Sequence, residues 1–380
     1  FGIGGVADEA AAAAGVARIP ALLAQDSASI GQDMWKVRLA MVKVPGEPLD
    51  DYLERRERQL AAAAPAGVGV VDEAAALQRF VPALALTEAL LGQVAVAMES
   101  VSAHVFHRDI HPRNMLIEER VGQHPRFGLV DFGLAVSAGE WRKGGWRERG
   151  AAGDCRTWPP SAWLYFADGE EEVLDECPRL REEYEERLDT HAVALTAMEV
   201  LARLSPRPPP GFAESAGPLA CYPPVLAALW NVTQAWQEYW VHASRFWRVV
   251  FGAFNSGGNI QELKAACIEV GVHTIVQQSL CQLREALLEA SQACAARADA
   301  GEACGVAAEI AGQEQGSARA GDFDFATAST VLGMLAALLS CGEEQTKAAP
   351  GWDEVRQSLG YEKAPEPPQP ERQLSAAADA

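Results

Sequence analysis

The run His107-Arg108-Asp109-Ile110-His111-Pro112-Arg113-Asn114, followed later by Asp131-Phe132-Gly133, decides how this chain is read. Asp109 and Asn114 stand five positions apart, a spacing that places both side chains on one tight loop. The apolar runs 114–117 and 127–130 flank a polar turn and predict a β-hairpin. Asp131 then stands at the mouth of that hairpin, where it can face the loop. Two carboxylates and an amide are hard oxygen donors, suited to a divalent cation held against phosphates. A carboxylate on such a loop can also accept the proton of an attacking hydroxyl. Either motif alone is short enough to arise by chance; the order and spacing of both together carry the reading.

Working outward, Val37–Val44 predicts a strand that enters a turn at Pro45-Gly46. Leu49–Leu60 has helical spacing, with Asp50 and Asp51 in its first turn where carboxylates suit the helix dipole. Upstream, Val6–Ala14 is alanine-rich and helix-prone, and Gly15 is its stop. Phe80–Ser102 predicts a long buried helix, and Thr190–Leu204 a second, ended by Pro206–Pro210. Trp141–Gly150, basic and glycine-rich, predicts a mobile loop, and the Glu-dense Gly169–Arg187 a solvated helical face. Pro223–Phe254 carries Trp230, Trp236, Trp240 and Trp247 among aliphatics and predicts helices that pack a core. Ala61–Gly69 is a small-residue linker, and the alanine- and glycine-rich Ser291–Ala320 an insertion. From Ala364 the tail is Pro-, Glu- and Ala-rich and expected to be disordered.

The 380 residues are 49% hydrophobic and 22% charged, ordinary for a globular chain with ample core, and the formal net charge is −20. That charge repels nucleic acid and anionic membranes, so neither is expected as a general partner. The Phe80–Phe106 stretch is interrupted by Glu88, Gln93 and Glu99, so no membrane span is expected. Eight scattered cysteines without a Cys-x-x-Cys pair suggest reduced thiols and a cytoplasmic setting. The first residue is Phe1 rather than Met, which implies a sequence incomplete at its N-terminus.

The two motifs resemble the catalytic loop and magnesium-binding motif of the eukaryotic protein kinase domain family. The resemblance implies an α+β, two-lobed kinase-like fold. Residues 1–47 would be the remnant of a mostly missing small lobe with its hinge. A mainly helical large lobe would span 48–360, with insertions at 61–75 and 291–320 and a disordered tail at 361–380. It implies Asp109 as catalytic base, Arg108 pairing with a charge in the activation segment, and Asn114 and Asp131 as magnesium ligands. Phe132 would pack behind the site. Met41 would be the gatekeeper, the backbone of Val42 and Val44 would bond adenine, and Leu116 would floor the ring. Asp189 would brace the catalytic loop. ATP and Mg2+ are the implied cofactors, and a protein hydroxyl the implied acceptor.

The departures are specific. No glycine-rich loop or strand lysine is visible, and Gly2, Gly4 and Gly5 sit too near the hinge to supply one. Glu9 or Asp8 would be the lysine's partner, and the lysine itself would lie upstream; without those strands the chain as given would be inactive. His111 stands where many kinases carry lysine, and His111-Pro112 resembles the small-molecule phosphotransferases. Pro159-Pro160-Ser161 replaces Ala-Pro-Glu, so the usual buried carboxylate is missing. Asp154 sits where a threonine commonly contacts the base. Thr157 and Ser137 are candidate phosphorylation sites. The alternatives are a pseudokinase scaffold, a small-molecule phosphotransferase, and a helical interaction protein with chance motifs.

Overall fold

The computed structural model describes residues 17–31, 34–63, 72–120, 124–168, 172–209, 212, 222–310, 323–339 and 349–363. The helix expected at Val6–Ala14, the candidates Asp8 and Glu9, and the tail from Ala364 lie outside the described residues.

The described chain opens with an antiparallel hairpin, β1 (Leu22–Gly31) and β2 (Met34–Met41), with Leu22 opposite Met41 and Gln25 opposite Leu39. Just before it, Arg18 forms a parallel bridge with Gly128: its N–H donates to Phe127 (2.9 Å) and its carbonyl accepts from Leu129 (2.8 Å). The hairpin is thereby tied to the sheet that carries the site. Gly46 has φ +119°, and a Cβ there would lie 2.7 Å from the Ile117 carbonyl oxygen, so only glycine allows the chain to turn this close. It leads into β3 (Glu47–Pro48) and α1 (Leu49–Ala63), which extends the expected helix into the linker. After α2 (Glu73–Gln78), capped by Asp72, comes α3 (Val81–Val101), preceding β4 (Val105–Phe106).

The predicted hairpin is β5 (Met115–Glu118) with β6 (Arg126–Leu129), and β3 adds on the free side of β5. β4 pairs instead with β7 (Val136–Ser137). Then follow α4 (Pro160–Asp168), α5 (Glu172–Asp175), α6 (Pro178–Glu186) and α7 (Leu188–Leu204). The tryptophan-rich stretch is one continuous helix, α8 (Pro224–Asn255), and α9 (Ile260–Val270) leads to α10 (Val272–Ile310), which packs along it. Ser291 onward therefore continues a helix that also packs against α11 (Phe325–Leu338). The last helix, α12 (Trp352–Ser358), lies on α3.

This is a kinase-like fold with a helical large lobe. Its centre is α3 against α7, where Leu90, Leu91, Met98, Val193, Met198 and Val200 are fully buried, each worth about 1.5–3 kcal/mol of burial. Glu73–Val101 is long and apolar enough to cross a membrane by length and composition, and most of it is buried inside the protein. Two expectations need correction. Trp141–Gly150 is not a free loop: Trp141 and Trp146 are fully buried and stack around Tyr184, because two large aromatics outweigh the polar residues between them. Within the supposedly solvated Gly169–Arg187, Glu183 is buried and accepts the Ser161 N–H at 2.9 Å. At the other end, Tyr361 packs against α3, filling the space a Cβ on Gly92 would need.

Candidate active site

Asp109 is the most heavily bonded carboxylate at the centre of the motif. Its Oδ1 accepts the Asp154 N–H (2.9 Å) and faces His111 Nε2 at 3.5 Å, while Oδ2 accepts from Asn114 Nδ2 at 3.0 Å. His111 Nδ1 accepts the Arg113 N–H at 3.2 Å, so the ring's proton sits on Nε2, toward Asp109. Burial pushes the Asp109 carboxyl up, but the hydrogen bond and charge of His111, the Asp154 N–H and His107 outweigh it and leave it below the ordinary carboxylate range. Asp109 is thus ionised and aimed.

The loop beneath it is fixed from α7. Asp189, fully buried in the first turn of that helix, accepts the backbone N–H groups of His107 (2.7 Å) and Arg108 (2.8 Å). This is the brace expected of it. Arg108 needs such support because its φ is +68°, a left-handed conformation that side chains disfavour. His107 Nε2 donates to the Val130 carbonyl (3.1 Å), Nδ1 accepts the Asp109 N–H (3.3 Å), and the ring packs on Phe132 at 4.6 Å.

The second motif is registered on the first by backbone. Val130 donates its N–H to the Asn114 carbonyl at 2.9 Å, so Asp131 follows directly on a residue bonded to both His107 and Asn114. Asp131 has φ +63° and accepts the Gly133 N–H at 3.2 Å; its side chain is exposed. The two bonds of the Asn114 side chain both use Nδ2, to the Asp109 carbonyl (2.9 Å) and carboxylate, which leaves Oδ1 as the oxygen able to ligate. Among the described residues no group of three or more His, Cys, Asp or Glu is arranged to hold a metal. An Asp carboxylate and an Asn oxygen fit magnesium that keeps its remaining positions for phosphate and water.

The hinge residues are partly brought together. Val44 is buried, and its Cγ1 lies 2.4 Å from where a Gly128 Cβ would be, with Leu116 Cβ 3.7 Å from the same point. Val44 and Leu116 therefore share one surface. The Val42 N–H is donated to the Ala21 carbonyl (2.8 Å), so that donor, expected to bond adenine, is already engaged. Met41 is 52% exposed at the end of β2.

Arg108 does not meet a carboxylate in the following segment. Its guanidinium donates to the Gly150 carbonyl (2.7 Å) and lies 4.7 Å over Trp141, and burial lowers its pKa. Thr157 is a poor phosphorylation site as placed, because it is buried and its hydroxyl donates to the Asp154 carbonyl at 2.9 Å. Ser137 instead caps a short helix. Beside Pro159-Pro160-Ser161, Glu183 from α6 places a buried carboxylate that accepts the Ser161 N–H.

Several contacts escape sequence reasoning in whole or in part. The resemblance placed Asp154 against Asp109, but that its backbone N–H makes the contact has no residue signature. Gly153 has φ +87°, and a Cβ there would lie 2.2 Å from the Arg108 carbonyl oxygen; the glycine was the available signal. Gln93, read only as a break in an apolar run, accepts the Phe127 N–H (3.0 Å) and donates to Pro125 (2.8 Å), holding the base of the hairpin. Asp50 accepts from Arg113 (3.1 Å) and Arg203 (3.0 Å), linking α1, the catalytic loop and α7.

A braced acidic loop, a paired Asp on a hairpin and a helical large lobe define the phosphotransferases of kinase-like fold as the class this chain is similar to. In the same sense, residues 8–138 match the model of the APH family, described as the phosphotransferase enzyme family. The match covers both motifs; it is a likeness to phosphotransferases of kinase-like fold and does not reach the narrower expectation of a eukaryotic protein kinase. A comparison with curated proteins finds no match.

Proposed function

We propose that the protein transfers the γ-phosphoryl group of ATP to the hydroxyl of a small molecule. The observation that carries this reading is the bonding of Asp109, an ionised carboxylate held by Asn114, Asp154 and His111 and left to receive one proton. The acceptor hydroxyl gives its proton to Asp109 as its oxygen bonds to the γ-phosphorus. The bond from that phosphorus to the bridging oxygen breaks, and its electron pair leaves with ADP. Asn114 Oδ1 and the Asp131 carboxylate would hold magnesium, which when bound offsets the phosphate charge.

The acceptor class is argued from the segment after Asp131. A peptide acceptor requires an exposed, extended platform there. Residues 138–168 are instead largely helical and anchored by buried Trp141, Trp146, Trp158 and Trp163. A protein hydroxyl is the second reading, favoured by the reach of Arg108 to Gly150 within that segment.

The test offers γ-labelled ATP and magnesium to the full-length protein with a panel of amino-alcohols, sugars and peptides. Label should pass to a small hydroxyl compound, and Asp109→Asn should cut transfer by about 10²–10⁴-fold while ATP binding stays nearly intact. A preference for peptides would move the acceptor to the second reading. Undiminished transfer by Asp109→Asn would remove Asp109 from the chemistry.

A further inference from the structure

Arg156 has no part in the chemistry above, yet its surroundings are built around its charge. Its Nε lies 3.0 Å from both carboxylate oxygens of Asp154, and Nη2 adds a further bond to Oδ2. The guanidinium carbon is 5.2 Å from the ring centre of Trp240 and 4.8 Å from that of Trp247, both on α8. Trp240 is backed by Trp236, stacked at 5.4 Å, and the Tyr239 hydroxyl donates to the Arg156 carbonyl at 2.6 Å. A pair two residues apart could form anywhere on a surface. Here a helix that begins far along the chain supplies two aromatic faces for the same cation, in a partly desolvated setting where such contacts are strongest.

The consequence runs inward. The Asp154 carboxylate also accepts the Arg156 N–H at 3.0 Å, which closes a tight turn, and the Thr157 hydroxyl fastens the Asp154 carbonyl. The turn points the Asp154 N–H at Asp109 Oδ1, 2.9 Å away. We infer that Arg156 is a positioning residue: clamped by the tryptophan helix, it holds Asp154 so that the Asp154 N–H keeps the base aligned, and the segment stays ready without a phosphate. The inference rests on the proposed role of Asp109. It gives the tryptophans of α8 a task beyond packing.

The experiment compares full-length wild type, Arg156→Ala, Arg156→Lys and Asp109→Asn in magnesium–ATP turnover, with water standing in for the acceptor. Misaligning the base should lower kcat for Arg156→Ala by about ten- to a hundredfold. KM for ATP should stay within about twofold, since nucleotide binding is not touched. Added methylguanidinium should restore part of kcat in Arg156→Ala, and Arg156→Lys should fall between the two. An Arg156→Ala protein with wild-type kcat overturns the inference, as does a loss that methylguanidinium does not rescue or that falls equally on KM for ATP. If Asp109→Asn turns over ATP like wild type, the catalytic reading itself fails; if it is silent while Arg156→Ala is normal, only the clamp fails.

Discussion

Arg108 and Asp131 are the two non-glycine residues with positive φ among those described, and both lie in the motifs. Strain of this kind persists only where surroundings over-determine it, and here Asp189 and Gly133 supply the restraint. Gly153 is the most exposed test of that tightness. Gly153→Ala places a methyl group against the Arg108 carbonyl at a disfavoured φ, and should cost about 1–3 kcal/mol, read as a lower melting temperature, together with a fall in kcat. Unchanged stability would mean the segment is looser than described. At this scale the sequence is most legible in placement: the five-residue spacing of Asp109 and Asn114 puts them on one loop, where they are hydrogen-bonded, and Asp131 follows the hairpin as expected. The Asp154 N–H could not be read, since every residue but proline offers the same atom.

Among the elements, α7 does the most to fix the His107–Asn114 loop in place, through Asp189 at its start. Asp189→Ala removes one acceptor shared by two backbone donors. Each buried N–H left without a partner costs about 1–3 kcal/mol, so denaturant unfolding should show a loss of a few kcal/mol and activity should fall with it. Asp189→Asn, which keeps one oxygen, should lose less. The helices and the hairpin were readable from periodicity and from turn residues. The stretch 141–150 was misread because glycine and arginine dominated the composition, whereas Trp141 and Trp146 decide the packing. Glu183 was misread for a related reason: a helix dense in carboxylates looks solvated, and only the partner Ser161 N–H shows which one turns inward.

At the scale of the whole molecule, the buried polar groups of α7 set a pH dependence. His191 is fully buried, and desolvation, with Arg187 nearby, pushes its pKa down from 6.5 to about 3. Below pH 6.5 the unfolded chain takes a proton that the folded chain refuses until about pH 3, so acidification across that window favours unfolding. This group alone steepens the loss by up to about 1.4 kcal/mol per pH unit. Stability measured for His191→Gln should therefore fall less steeply between pH 6.5 and pH 4 than for wild type; parallel curves would show that His191 is not held neutral. The mainly helical character of the chain was legible from the order of elements. The acceptor class was not legible, because the loop and hairpin motifs suit small-molecule and protein acceptors alike; the packing of the segment after Asp131, on which the proposed small-molecule acceptor leans, rests on tryptophans spread from 141 to 163.

The proposed function stands or falls on Asn114 and Asp131 holding a metal–nucleotide beside Asp109. Calorimetric titration of ATP into the full-length protein, with and without magnesium, reads this out. Magnesium should tighten ATP binding to wild type, and Asp131→Asn should abolish most of this gain. Equal affinity with and without magnesium, or a gain that survives Asp131→Asn, would rule it out.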